Sequence, residues 1–399
     1  MFFLSVHLNS FLKEHRINSQ TYLYIQDENQ ADILKKDLSR ASRIAIDCEA
    51  AGFHRYSDRL CLVQVTTGKA TYVLDALGFD ISSLLRPSLE DPEVEIIMHG
   101  ADFDLLLLRR DLGIHLKGLF DTQIAAALLG RESLGLAGLL KDHYGIELSK
   151  KHQRADWAMR PLTEEMLEYA ASDTQYLKTL ANEMQIALRA KGRETWLTEE
   201  CRALEQSSSR SQKSEEIDPV IRVKGARKLT ARQLTALRKA LKWRDQLARD
   251  NDKAVFRIVG DGPLLDAVIM NPRHPRELSA IKGFPRGLTR HSGSDLVHHF
   301  KSVSMLPESE LQGYPSRRRD SSIRSNPETE ALLDALKIVR NTQAKKLGIS
   351  RGTLLSNATL SKVARASPKD LKSLGKVEGM REWKLRVVGN LLLEAIHQS

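Results

Sequence analysis

The run RIAIDCE at residues 43–49 constrains this chain more tightly than any other. Side chains of an extended strand alternate between two faces. Ile44, Ile46 and Cys48 therefore share one face, and Ala45, Asp47 and Glu49 share the other. Two carboxylates on one face of an apolar strand repel each other and resist burial. Packing alone gives no reason to place them there. Two readings follow: the acids lie on the wet face of an edge strand, or they serve divalent cations, which prefer carboxylate oxygens.

A second acid-bearing element reads as a helix. Thr163 can cap it, and Glu164 and Glu165 suit its positive end. The pattern runs on through MLEYAASDTQYLKTL, in which Tyr169 and Asp173 stand at i and i+4 and share a face. Between the two elements, VEIIMHG reads as a strand and ADFDLLLLRRDLG as a helix ending near Gly113. Asp102 and Asp104 both fall in the first turn of that helix, beside a strand end. The residues by themselves do not choose between them.

The order D-x-E (Asp47, Glu49), H-x-x-x-x-D (His99, Asp104) and Y-x-x-x-D (Tyr169, Asp173) resembles the DEDD superfamily of 3′→5′ exonucleases, in its tyrosine-bearing branch. LCLVQVTT at 60–67, LFDTQIAAALLG at 119–130 and DWAMRPLTEEMLEYAASDTQYL at 156–177 are similar to the ribonuclease D family, and the likeness spans roughly residues 20–205. Residues 229–300 resemble an HRDC domain, the helical module of ribonuclease D and RecQ helicases. A second copy follows. Arg244 with Ala248 matches Arg340 with Ala344, and NPRHPRELSAIKGF at 271–284 matches ASPKDLKSLGKVEGM at 366–380. Such a repeat argues for two structural units of one kind, of which the second is the more divergent.

The resemblance implies a ribonuclease H-like α/β exonuclease, a mixed sheet flanked by helices, over residues 1–204, followed by two all-α HRDC-type domains. The expected layout is a linker at 205–228, the first HRDC domain at 229–303, a linker at 304–327 and the second at 328–399. Strands are expected near 43–49, 60–67, 71–75 and 94–98. The resemblance assigns Asp47, Glu49, Asp104 and Asp173 to two Mg²⁺ or Mn²⁺ ions and gives Tyr169 the attacking water. It favours Asp104 over Asp102. His99, Gln64, Asp121 and Trp157 are expected to support the site, His99 by packing or hydrogen bonding near the strand end. The implied activity is a hydrolytic 3′→5′ exoribonuclease that releases 5′-nucleoside monophosphates. Its expected partners are structured RNAs with a single-stranded 3′ tail, such as tRNA precursors. The alternatives are a 3′→5′ DNA exonuclease, or a non-catalytic RNA-binding or adaptor protein.

Charge is unevenly spread. Residues 1–200 hold 23 Lys and Arg against 30 Asp and Glu, and residues 201–399 hold 38 against 21. An acidic metal site repels a polyanion, and a basic appendage attracts it. The Arg317-Arg318-Arg319 cluster in the second linker has two readings, phosphate contact or solvation of the linker. No run approaches the ~18–20 apolar residues of a membrane span, and MFFLSV does not read as a signal peptide. No G-x-x-x-x-G-K-[ST] occurs, so no nucleotide cofactor is expected. Three cysteines make neither a disulfide framework nor a zinc site, and Cys48 and Cys61 read as core thiols. These features fit the cytoplasm.

Overall fold

The computed structural model describes residues 14–17, 20–68, 70–209, 218–315 and 327–398. They divide into two compact units. One joins the α/β part to the C-terminal helices, and the other joins residues 50–59 to the helices between the two expected linkers.

Among the described residues the α/β part is built on seven strands: β1 (Glu14–Ile17), β2 (Gln20–Ile25), β3 (Arg43–Ala50), β4 (Leu60–Thr66), β5 (Thr71–Asp75), β6 (Glu95–Met98) and β7 (Leu119–Asp121). They form one sheet in the order β1-β2-β5-β4-β3-β6-β7. β1/β2 and β4/β5 run antiparallel, while β2/β5, β3/β6 and β6/β7 run parallel, so the sheet is mixed. The four strands expected from sequence are present, and β1, β2 and β7 are additions. β7 has three residues, too few for a period of two to register.

Strand order settles one question at once. β3 lies between β4 and β6, so Asp47 and Glu49 are not on an edge strand. Ile44, Ala45 and Ile46 are all fully buried, so both faces of β3 are covered. Among the described residues the α-helices of the α/β part are α1 (Asp32–Leu38), α2 (Ser82–Leu89), α3 (Asp102–Leu112), α4 (Thr122–Leu129), α5 (Leu136–Tyr144), α6 (Glu164–Gln175), α7 (Leu177–Ala190) and α8 (Glu194–Ser209). Gly113 ends α3 in the left-handed region, φ 64°, where a residue without Cβ is unstrained. None of the described helices is long and apolar enough to cross a membrane.

The other unit carries α9 (Ala231–Asp250), α10 (Val255–Ile258), α11 (Asp261–Met270) and α12 (Arg286–Ser304). The C-terminal helices are α13 (Pro327–Leu347), α14 (Arg351–Leu354), α15 (Asn357–Ala366), α16 (Leu371–Gly375), α17 (Glu382–Lys384) and α18 (Asn390–His397). The repeat read from sequence holds atom by atom. Arg244 donates through Nη1 to Val259 O (3.0 Å) and Asp261 Oδ1 (2.7 Å). Arg340 donates through Nη1 to Leu355 O (2.9 Å) and Asn357 Oδ1 (2.9 Å). Each buried guanidinium thus ties a long first helix to the start of the third. Asn271 and Ser367 stop α11 and α15 at φ 49° and 40°. The pairs keep one constant offset, which continues into the last helix, where Leu296 and Leu392 are both fully buried.

The expected linkers need correction. α8 runs to Ser209, and Glu205 accepts from Leu119 N at 2.8 Å, so residues 205–209 belong to the α/β part. Val220, Val223 and Ala226 are buried in the core beneath α9, so the first helical copy starts before residue 229. Leu306 and Tyr314 pack on the same core, which carries that copy past residue 303. Polar composition hid these segments because only their few apolar side chains anchor them. The Arg317-Arg318-Arg319 cluster lies outside the described residues.

The second copy is fastened to α8. Trp383 stacks on Trp196 with centroids 4.4 Å apart and planes at 15°. Glu200 accepts from Trp383 Nε1 (2.9 Å) and pairs with Lys384 (2.7 Å), while Glu199 pairs with Arg386 (2.8 Å).

Candidate active site

Three elements bring the acids together. β3 delivers Asp47 and Glu49 where the strand emerges from its buried stretch; both are half-buried. α6 delivers Tyr169 and Asp173. Thr163 caps α6, accepting from Met166 N at 3.3 Å, as its sequence predicts. The rotation of α6 is fixed by Thr174 Oγ1, which lies 2.7 Å from Thr66 Oγ1 of β4. One ligand oxygen each from Asp47, Glu49 and Asp173 then lies within 4.8 Å of the others.

α3 delivers the fourth acid. Asp104 is buried, 9% exposed, whereas Asp102 is exposed. Asp104 raises the pKa of Glu49 and is itself raised by Asp47, so it belongs to the cluster. The start of α3 is held by Asp121, whose carboxylate accepts from Gly100 N (3.1 Å) and Ala101 N (2.8 Å) and also caps α4 through Gln123 N and Ile124 N. His99 Nδ1 lies 2.9 Å from Thr122 Oγ1, at the end of β6, and burial lowers its pKa. Trp157 is buried with its ring centroid 6.0 Å from that of Tyr169. Gln64 is fully buried in β4, and its amide meets no partner among the described residues. It shares a face of β4 with Thr66, the face on which α6 is fastened.

The electrostatics of the four acids are uniform. Burial pushes Asp47 up to about 7, partly opposed by the Cys48 backbone N–H. Burial and then neighbouring carboxylates push Glu49, Asp104 and Asp173 well above the usual carboxylate range. The Tyr169 phenol is pushed up by burial, by Asp173, Glu49 and Asp47, and by its hydrogen bond to Asp173. No cationic side chain contributes to holding any of the four acids down, among the described residues. Four clustered carboxylates without a counter-charge fit hard divalent cations.

Two residues here were not expected. Cys48 is half-buried rather than a core thiol, and it hydrogen-bonds Asp104. Strand alternation does not report this contact, because Asp104 comes from another element, α3. His152 stands edge-on to Tyr169, with centroids 6.3 Å apart. It lies just before the DWAMRPL run, and that adjacency is the only signal the sequence offered.

This geometry is that of a DEDD-type 3′→5′ exonuclease with appended helical domains. Residues 22–189 match the family described as 3′-5′ exonuclease, and residues 233–298 and 329–396 each match the HRDC domain. The chain is 28% identical to the ribonuclease D of Pseudomonas paraeruginosa over 89% of this chain and 92% of that protein. It is 26% identical to the exosome complex exonuclease RRP6 of Saccharomyces cerevisiae over 89% of this chain, and spans 49% of that protein. Among solved structures, Escherichia coli RNase D, an exoribonuclease involved in structured RNA processing, superposes with a TM-score of 0.67 at 25% identity, covering 94% of this chain and 99% of that one. The chain carries a 3′-5′ exonuclease domain followed by two HRDC domains, is similar to ribonuclease D along most of its length, and is a 3′→5′ exoribonuclease. Its acid cluster is a divalent-metal site.

Proposed function

We propose that Asp47, Glu49, Asp104 and Asp173 hold two divalent cations, Mg²⁺ or Mn²⁺, at which the 3′-terminal phosphodiester of RNA is hydrolysed to release a 5′-nucleoside monophosphate. The observation that carries this reading is the convergence of the Asp47, Glu49 and Asp173 oxygens within 4.8 Å, with Asp104 and Tyr169 against them. Bound there, such cations supply a water acidic enough to attack at neutral pH and charge to stabilise the leaving oxygen. Tyr169 orients that water. Its phenol stays protonated at neutral pH and is aimed by its hydrogen bond to Asp173, one helical turn away. Asp121 acts through Asp104, by fixing the first turn of α3. His99, Trp157 and Gln64 support the walls of the site.

The substrates we propose are structured RNAs with a single-stranded 3′ tail, such as tRNA precursors. The catalytic part acts on the tail, and the basic C-terminal half holds the body. The excess of 38 basic over 21 acidic residues in the C-terminal half supports this division. Three free cysteines accord with a reducing cytoplasm.

The test is a 5′-labelled RNA with an unpaired 3′ end, beside DNA of the same sequence, in Mg²⁺ or Mn²⁺ and in EDTA. The expected result is a ladder that shortens from the 3′ end on RNA only and is lost in EDTA. Equal ladders on both polymers would make the protein a general exonuclease. Binding without any ladder would make it a non-catalytic RNA-binding module.

A further inference from the structure

The two helical copies share a scaffold, so the positions at which they differ are not dictated by the fold. The scaffold pairs are Arg244 with Arg340, Ala248 with Ala344, Leu278 with Leu374, and Leu296 with Leu392, all buried. Between α9 and α12 the first copy has a cavity of about 700 Å³, within the ~300–1,000 Å³ of sites for small ligands. Lys239, Lys242 and Trp243 of α9 face His298 and His299 of α12 across it. The corresponding residues of the second copy, at the offset of the scaffold, are Ala335, Ile338, Val339, Glu394 and Ala395. The second copy therefore has neither the lysines nor the rings, and it sets a carboxylate where the first has an imidazole.

The groove carries unspent hydrogen-bonding capacity. Trp243 is 7% exposed, and its indole N–H meets no acceptor among the described residues. Neither Lys239 nor Lys242 takes part in an ion pair among the described residues; Lys239 Nζ bonds only the Ser302 hydroxyl, at 2.9 Å. Burial, then Lys239 and His298, lowers the pKa of His299, which keeps that ring neutral and suited to a base edge or face. Asp250 and Asp295 also line the groove, so it is near neutral overall. That balance suits a nucleotide, with one phosphate and one base, better than a bare inorganic anion.

We propose that the α9–α12 groove of the first helical copy is a second RNA site, taking a single-stranded nucleotide with its phosphate on Lys239 and Lys242 and its base against His298 and His299, beside Trp243. The second copy does not share this role. Its own distinguishing residues, Trp383 and Lys384, bind α8 instead, and Gly287 and Leu288 occupy those positions in the first copy. One copy thus holds RNA and the other braces the catalytic part. The choice of RNA as the polymer rests on the exoribonuclease reading.

The test uses the full chain with Lys239→Ala and Lys242→Ile, residues that the second copy already carries. Affinity for a labelled single-stranded RNA some tens of nucleotides long is measured in EDTA over a range of salt. Hydrolysis of an RNA dinucleotide is measured in Mn²⁺. The expected result is about tenfold weaker binding with a salt slope shallower by about 0.7, the loss of one neutralised phosphate, and unchanged dinucleotide turnover. In parallel, RNA should quench tryptophan emission in the wild type and much less in Trp243→Phe, which keeps an aromatic ring at that place in the groove. Unchanged affinity and slope, or a quench that survives Trp243→Phe intact, would overturn the proposal. Failure of the exoribonuclease reading would appear separately, as a wild type that cleaves no RNA.

Discussion

Asp75 and Asp47 stand on strands with only β4 between them, yet burial has opposite consequences for the two. Burial pushes the Asp75 carboxyl up, but hydrogen bonds from Arg160 and Tyr24 more than offset it and hold it below the usual carboxylate range. The Arg160 guanidinium reaches it at 2.6 Å from both Nε and Nη2, and Tyr24 Oη at 2.7 Å. Asp47 has no such partner among the described residues and is pushed up to about 7, with Glu49, Asp104 and Asp173 raised beside it. A buried acid is therefore not in itself a mark of function. What distinguishes the two places is whether the protein supplies the counter-charge. At Asp75 it does, and the group is structural. At Asp47 it does not, and the deficit fits cations from solution.

The largest expected effect tests the deficient side. Asp47→Asn or Asp104→Asn should lower RNA hydrolysis by on the order of 10³-fold or more, while RNA binding in EDTA persists. Either variant should also melt higher than the wild type without metal, because one like charge is gone. Wild-type turnover in either variant would remove that acid from the metal site. On the satisfied side, Arg160→Met leaves a buried carboxylate unpaired and should cost about 3 kcal/mol in urea unfolding. A neutral result would mean that Arg160 is not what balances Asp75.

Tyr169→Phe should slow the chemical step by about 10²-fold and leave Mn²⁺ binding intact; an unchanged rate would take the phenol out of the mechanism. Adding Mn²⁺ at about 100 times its Kd should stabilise the wild type by about 2.7 kcal/mol, and Asp47→Asn markedly less. Equal stabilisation of both would place the cation elsewhere. The smallest effect is acid sensitivity at Asp75. Its folded pKa is depressed, so its contribution to stability is complete above the unfolded value of about 3.9. That contribution is lost as pH falls through the depressed folded value. Asp75→Asn should remove this part of the acid transition, and an unaltered acid limb would assign it to other carboxylates.

Much of the candidate site was legible from local pattern. The acids of β3, the Thr163 cap and the i,i+4 pair Tyr169/Asp173 all follow from short-range periodicity, as does the Arg-x-x-x-Ala repeat of the two helical copies. Other features depend on partners distant in the chain. Arg160 meets Asp75 across 85 residues, Thr174 meets Thr66 across 108, and no spacing rule reaches that far. The family resemblance favoured Asp104 over Asp102 where the residues alone could not. In the structure the reason is physical: α3 turns Asp104 inward and leaves Asp102 exposed.

The sequence by itself determined which residues could be ligands, which elements carry them and that the helical unit occurs twice, because those facts are written in period, capping and repetition. Tertiary structure alone decided that β3 is central, that Cys48 reaches Asp104, that Asp75 is neutralised and Asp47 is not, and that Lys239, Lys242 and Trp243 of the first copy line a groove. The physical reason is common to all four. The energy of a charge or a polar group is set by what surrounds it in space, and neighbours in space are chosen by packing, not by position along the chain.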